Sequence, residues 1–544
     1  MQEDAFHPII YVRGYAMTQN EIEDTVADPY MGFNLGSCKV RQLWDGKVKK
    51  YFFESPLVRL LKRYSYDDVY EDGLDRVADA RELSEPTTPE PLPYRSIVIY
   101  RYYEPSSEDL GTGQKPDMKR FATGLGELIL KLRERMYPEG KDTVISPQEQ
   151  ALGKQPYDRF RVYLVAHSMG GLVVRTFLQN TQFGDASARR LVDKVFTYAT
   201  PHNGIEVGVL GNVPGWLKLY GMNTFNRDEI AKLLGLTKQQ RDGDNVDIIT
   251  HFDPCRIFTL VGTNPGDYKA AGGLSSWAVG EASDGLVRIR NATTRGRDGN
   301  AFVQSPQAFV PRSHSGYFGI VNSEEGFQNL TRFLFGDVRA DGYLEIDELS
   351  LPPAVQKEYE NGKEIRASYL FEVVVSIRGK PWQLHRRTVD ENSAIFRKFD
   401  ELFPRYDKKN KEWKPNRAAS PMLFNVFLDM DQSQTGKTFA FAADICVRVP
   451  QYEVDGLLFL KNHFEGGYLF RDMVTLEATP PVTKDAEWKI AYRFANDPEK
   501  LGQAKIVQDD DEVLAFDIPI EQPRPPGIKA RLRVETRFWN RWHK

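Results

Sequence analysis

Along the first 337 residues, apolar positions fall into short unbroken runs separated by amphipathic stretches. The runs are IIYV (9–12), SIVIY (96–100), FRVYLVA (160–166), KVFTYA (194–199) and CRIFTLVG (255–262), with a weaker AFVQ at 301–304. Unbroken apolar runs are what strands require when both faces of a parallel sheet are covered. Between them, FATGLGELILKLRERM (121–136) puts Leu125, Leu128, Ile129 and Leu132 on one helical face. GGLVVRTFLQN (170–180) follows the third run directly, and EGFQNLTRFLF (325–335) ends the region. The pattern is that of repeated strand–helix–strand units and predicts an α/β architecture.

Two insertions interrupt this rhythm. Residues 16–94 hold aromatic pieces such as YFFESPLVRLLKRYSY, and residues 203–254 include GVLGNVPGWLKLYGM. Segments of this length inside a compact domain usually form lids or caps. The stretch 338–364 is polar, carries Pro352-Pro353 and predicts a linker. Beyond it, residues 365–544 contain short β-rich runs: SYLFEVVVSIRG, MLFNVFLDM, TFAFAADICVRV, YLFRDMVTLEA, WKIAYRF, VLAFDIPI and RLRVETRFW. Strands at this spacing, divided by turn residues, predict a sandwich-like all-β domain.

Composition narrows the function. With 72 basic and 76 acidic residues the net charge is −4, which argues against a nucleic-acid-binding surface. No run of about 18 uncharged apolar residues exists, so no membrane span is predicted. The N-terminus MQEDAFHPII lacks a basic segment followed by a long apolar one. The expectation is cytoplasmic synthesis, with any export independent of a signal peptide. Cys38, Cys255 and Cys446 form no CxxC, and an odd number makes no complete disulfide framework.

The chemistry concentrates at AHSMGG (166–171), between the third apolar run and a helix. A sharp strand-to-helix turn with small residues two before and two after a serine lifts its oxygen clear of the sheet. Here Ala166 and Gly170 flank Ser168, and the helix start beneath it favours developing negative charge. A serine nucleophile needs a base, and the base an orienting acid. His7 precedes the first strand, His167 adjoins the serine and is read as pointing elsewhere, and His385, His463 and His543 lie in the other region. Of the remaining His202, His251 and His314, His314 follows the last strand and precedes the final helix, where the base belongs. His202, in TPHNG, is read as shaping a neighbouring loop. Asp284, in an Asp-Gly turn thirty positions before His314, is the favoured acid, with Asp253, Asp267 and Glu281 as alternates. The oxyanion donors are expected to be the backbone N–H groups of Met169 and of Tyr15 in VRGYA.

On these residues, 7–336 resembles the α/β-hydrolase superfamily, in its lipase and esterase branch. AHSMGG is similar to the elbow of small bacterial lipases. TPHNG and SDGLV resemble motifs of larger bacterial lipases and of GPI-inositol-deacylase-like and lecithin–cholesterol-acyltransferase-like proteins, whose strand-end aspartate maps onto Asp284. The His-Gly usual after the first strand is Arg13-Gly14 here. The resemblance implies an α/β-hydrolase domain over 1–337 with cap insertions, and a serine carboxylester hydrolase with no metal or organic cofactor.

The apolar residues of the second insertion, among them Val207, Leu210, Trp216 and Leu219, point to lipid esters, hence a lipase or phospholipase. An acyltransferase passing the acyl group to an alcohol would use the same residues, and an inactive binding scaffold is a third class. A lipase-like region without a signal peptide and with an appended β-domain fits a secreted effector. The terminal RFWNRWHK mixes tryptophan with cations and is a candidate for transient membrane-surface contact. The sequence names no protein partner for the β-domain. The stretch 337–348 is partly EF-hand-like, but Arg339 occupies a calcium-ligand position and an acidic turn is the reading preferred. The acidic run at 509–512 reads as a solvated turn rather than a metal site.

Overall fold

The computed structural model describes residues 6–14, 19–36, 38–71, 74–77, 92–102, 104–109, 111–113, 117–205, 227–265, 282–299, 301–316, 318–360, 365–407, 412–429, 439–454, 467–479, 488–510 and 512–540. The chain forms two compact units, one reaching Phe335 and the other beginning at Gly336. Ala308–Val310 belongs by its hydrogen bonds to the first unit's sheet.

The first unit is built on a seven-stranded parallel sheet. Its strands are β1 (Ile9–Val12), β2 (Asp67–Asp68), β3 (Ser96–Ile99), β4 (Val162–His167), β5 (Val192–Tyr198), β6 (Ile257–Gly262) and β7 (Gln307–Val310), in the order β7-β6-β5-β4-β1-β3-β2. Every residue of β1, β3, β4, β5, β6 and β7 is buried, as expected of strands covered on both faces. The helix Met118–Met136 begins at Asp117, whose carboxylate accepts from the Lys119 N–H, and ends with Arg133 and Arg135 near its carboxyl pole. It buries Leu125, Ile129, Leu132 and Met136 at three- and four-residue spacing. The helix Gly170–Gln179 is buried on all sides. At its centre the Arg175 guanidinium donates to the Gln179 side chain and to the carbonyls of His202, Val246 and Ile248 at 2.7–3.1 Å. Burial lowers the Arg175 pKa to about 9, with Asp247 opposing the shift.

Two expectations need correction in this unit. The sixth strand of the sheet is not AFVQ at 301–304. That segment pairs antiparallel with Arg295–Asp298 in a separate hairpin, and QAFV at 307–310 joins the sheet instead. The sequence AFVQSPQAFV carries the same triplet twice. The first copy follows the Asp298-Gly299 turn that folds it back, while the second is wholly buried. The first insertion is also not all cap, since Asp67–Asp68 pairs with Ser96–Ile97 and extends the sheet. Its other described pieces are a helix (Gln19–Ala27), a hairpin (Cys38–Gln42 with Val48–Phe52) and a helix (Pro56–Tyr64). The apolar residues 207–220 of the second insertion lie outside the described residues.

The second unit is built on two large antiparallel sheets, with a small two-stranded one (Arg405–Asp407 with Glu412–Lys414) besides. One has five strands in the order Met422–Leu428, Val338–Ser350, Gly527–Phe538, Leu514–Gln522 and Lys505–Asp509. The other runs Gln383–Arg387, Ile365–Ile377, Phe439–Arg448, Tyr468–Thr479, Lys489–Phe494 and Gly502–Gln503, with Ile395–Lys398 and Tyr452–Val454 also pairing with Ile365–Ile377. Their inward residues, among them Leu344, Tyr369, Val373, Ile445 and Leu532, form one core.

Residues 338–350, read from sequence as linker, are instead an interior strand of the five-stranded sheet. Val338, Ala340, Leu344 and Ile346 face the core. The acidic residues that suggested a linker lie across from arginines: Glu345 and Asp347 meet Arg531 at 2.6 and 3.0 Å, and Glu345 meets Arg533 at 3.2 Å. A strand with one solvated face is polar at every second position, which a composition-based reading takes for linker. Asp341 is buried and accepts from Arg339, Asn425 and Arg537, so its carboxylate serves the sheet rather than a calcium site. Trp539 packs on Phe427, ring centroids 4.9 Å apart, and so belongs to its own domain.

Leu344→Ala should therefore destabilise the second unit by about 2–5 kcal/mol, read by urea unfolding. A solvated linker leucine would show no more than about 0.5 kcal/mol.

Candidate active site

The carboxyl end of β4 turns into the helix Gly170–Gln179 through Ser168, whose φ is +54°. This left-handed conformation strains any residue with a Cβ by about 1–3 kcal/mol. The turn is held by a hydrogen bond from the Ser168 N–H to the Tyr198 carbonyl at 2.9 Å, and from the Gly171 N–H back to the Ser168 carbonyl at 3.1 Å. Gly170 is required by close approach, because a Cβ there would lie 2.1 Å from the Val12 carbonyl oxygen. Gly14, just past β1, stands against the serine itself, where a Cβ would lie 2.5 Å from Ser168 Cβ. The loop after β1 is thus pressed onto the serine. Tyr15 lies outside the described residues, and Met169 occupies the turn directly after Ser168.

His314 sits four residues past β7. Its Nε2 is 2.9 Å from Ser168 Oγ, and its Nδ1 is 2.9 Å from Asp284 Oδ2. A carboxylate only accepts, so Nδ1 carries the proton and Nε2 is free to accept from the serine hydroxyl. Asp284 is placed by its own turn, Oδ1 accepting from the N–H groups of Leu286 and Val287 at 3.0 and 2.7 Å. The main chains are also joined, with the His314 N–H donating to the Asp284 carbonyl at 2.9 Å. Asp284 is 1% and His314 3% exposed, so the pair is shielded from water while Ser168 stays partly open. The His314 loop is tied to the helix Glu324–Phe335 by Arg312 and Glu325 at 2.9 Å.

The alternates fall elsewhere. Asp253 caps the short turn Pro254–Arg256 by accepting from the Cys255 N–H, and Asp267 and Glu281 lie outside the described residues. His251 is exposed, with φ of +60°. His202 is buried past β5, with Nε2 3.1 Å from Thr197 Oγ1. His167, read as pointing elsewhere, does not: its Nε2–H donates to the His314 carbonyl at 2.9 Å, and the two rings are 5.0 Å apart. Sequence reasoning missed it because the acceptor is a backbone atom far along the chain. Burial first, then the neighbouring His314 and Arg13, hold the His167 pKa well below its ordinary 6.5, so the ring stays neutral. Burial, with Arg175 adding, does the same to His202.

Beside the loop after β1, Tyr102 donates to the Arg13 carbonyl at 2.6 Å. Tyr102, Tyr100 and Phe121 line an open groove of about 710 Å³ at the carboxyl end of β3, together with Arg101, Glu104, Arg120 and Glu127. Among the described residues no group of His, Cys, Asp and Glu has the arrangement of a metal site. What the arrangement can do chemically is deprotonate a hydroxyl at Ser168 through a base whose tautomer is fixed from behind.

Because the folded chain keeps His167 and His202 neutral while the unfolded chain protonates them, stability should fall as pH drops through about 6.5. The slope is up to about 1.4 kcal/mol per pH unit for each ring. Urea unfolding from about pH 7.5 to about pH 5.5 measures it, and His167→Gln should flatten the slope. A second expectation concerns the strained turn. Ser168→Gly should be more stable than Ser168→Ala by about 1 kcal/mol, the reverse of the order in ordinary backbone. Thermal unfolding of the two variants decides it.

No family model matches the chain, and no curated protein matches it. Among solved structures the chain is similar to the product of gene lin2722 from Listeria innocua. The identity is 10% and the TM-score 0.23, covering 60% of this chain and 94% of that one. It is also similar to a chain of the Tle4–Tli4 complex, at 13% identity and a TM-score of 0.17, covering 60% and 67%.

Proposed function

We propose that this chain is a serine carboxylester hydrolase acting on lipid esters, a lipase or phospholipase, through an acyl-enzyme on Ser168. One observation carries the reading: Ser168 Oγ stands 2.9 Å from His314 Nε2 and Asp284 Oδ2 stands 2.9 Å from His314 Nδ1, with the serine on a strained turn. In this mechanism Ser168 Oγ attacks the ester carbonyl while its proton passes to His314 Nε2. Asp284 stabilises the imidazolium, and the N–H groups of Met169 and Tyr15 receive the oxyanion. Collapse of the tetrahedral intermediate expels the alcohol, protonated by His314. Water, activated by the same imidazole, then releases the acid and restores the serine. The lipid preference is supported by the apolar residues of the second insertion.

A fluorophosphonate should label the protein stoichiometrically and leave Ser168→Ala unlabelled. Hydrolysis should be screened on a triglyceride, a phospholipid and a short soluble ester. Ser168→Ala and His314→Ala should lower kcat by a factor of about a thousand or more, and Asp284→Asn by about a thousand to ten thousand. Undiminished hydrolysis by Ser168→Ala would falsify the reading. A preference for the soluble ester alone would leave an esterase and remove the lipid assignment.

A further inference from the structure

Among the described residues the hairpin Cys38–Phe52 in the first insertion forms a two-stranded sheet of its own, apart from the seven-stranded one. Its strands pair from Cys38↔Phe52 to Gln42↔Val48. Its tip closes with the Leu43 N–H on the Lys47 carbonyl at 2.8 Å and the Gly46 N–H on the Leu43 carbonyl at 3.0 Å. At that tip Trp44 is 98% exposed with Leu43 exposed beside it, and Tyr51 is exposed further down the face that carries Arg41 and Lys49. Exposed large apolar residues gathered in one place mark an interaction surface, where scattered ones would not. The same hairpin carries Lys39, Arg41, Lys47, Lys49 and Lys50 against one acid, Asp45, which is already held by Lys47 at 3.0 Å. Arg41 and Lys49 are directly opposite in register, although like charges across a ladder destabilise it. Lys49 also lies 5.5 Å over the Tyr51 ring.

We propose that this hairpin docks the chain on an anionic phospholipid surface, with Trp44 entering the headgroup layer. The inference deepens the lipid-ester reading and rests on it. The mixture decides the occupant. Protein interfaces enrich aromatic side chains but deplete lysine, whereas lipid headgroups take tryptophan and lysine together. Anionic lipid also supplies the counter-charge that Arg41 and Lys49 lack across the ladder. Each cation near such a surface strengthens binding about fivefold. The hairpin is joined to the candidate site through its own stem. Phe33 packs on Tyr11 of β1 with ring centroids 4.6 Å apart, and the Arg13 guanidinium donates to the Met31 carbonyl. Arg13 precedes Gly14, which stands against Ser168. Docking at the hairpin therefore acts next to a segment tied to the strand that carries the loop facing the serine.

The test uses the full chain carrying Ser168→Ala, so that binding is read without turnover. It is floated with vesicles of phosphatidylcholine and of phosphatidylcholine mixed with phosphatidylglycerol. The Ser168→Ala chain should bind the mixed vesicles at least tenfold more than the neutral ones. Adding Trp44→Ala should weaken binding to both, and adding Arg41→Glu with Lys49→Glu should abolish the preference for the anionic ones. With Ser168 intact, the Trp44→Ala, Arg41→Glu, Lys49→Glu chain should keep wild-type hydrolysis of a soluble short ester, showing that it folds, and lose hydrolysis of vesicle lipid. The proposal is overturned if the hairpin variants bind vesicles as well as their parent, or if the parent ignores vesicle charge. It is equally overturned if the hairpin instead mediates self-association that Trp44→Ala breaks. Because flotation does not depend on the serine, absence of esterase activity would sink the functional reading while leaving the docking result separately legible.

Discussion

Everything proposed for the first unit depends on one backbone turn that its own residue disfavours. Ser168 adopts a left-handed φ that a serine in a free chain would leave. It stays because its surroundings over-determine it. β4 delivers the residue, the Tyr198 carbonyl takes its N–H, and the absence of a side chain at Gly170 lets the helix start against Val12. The helix that follows is fixed from its middle by Arg175, whose buried guanidinium spans the loops at 202 and 246–248. Strain of this kind persists only where packing and hydrogen bonds outweigh it.

The same economy of placement governs the polar groups behind the serine. Asp284, His314, His167 and His202 are all buried. Asp284 is held by two amides of its own turn, His314 by that carboxylate and through its carbonyl by His167, and His202 by Thr197 and Arg175. A neutral His167 is suited to its position, because a second positive charge 5.0 Å from the His314 ring would oppose the charge a general base must acquire. In the second unit the polar face does a different job. Glu345, Asp347 and Asp517 pair with Arg531 and Arg533 across neighbouring strands, which fixes register on a face open to solvent.

Much of this architecture is legible in the chain. Buried parallel strands announce themselves as unbroken apolar runs, and the elbow as small residues around Ser168 between a strand and a helix. The order of Ser168, Asp284 and His314 nominates an acid and a base without any distance. Where the reading failed, the local signal was degenerate. Two AFV triplets lie seven residues apart, and burial alone separates them. The strand at 338–350 intersperses core residues such as Val338, Leu344 and Ile346 with ion-paired Arg339, Glu345 and Asp347, so its mean polarity matches a linker. The hairpin at 38–52 was visible as aromatic residues, but not as an exposed tip.

Periodicity, turn residues and the small side chains about Ser168 settle local conformation, because each acts on its neighbours within a few residues. They determine that an α/β unit precedes a β-rich one and that a serine stands on a tight bend. Which histidine meets that serine, which carboxylate backs the histidine, and that His167 grips the carbonyl of His314 belong to the tertiary structure alone. Those contacts join residues 30 to 147 positions apart. Such groups meet only because parallel strands end on one edge of the sheet, and the loops that leave that edge have nowhere else to converge.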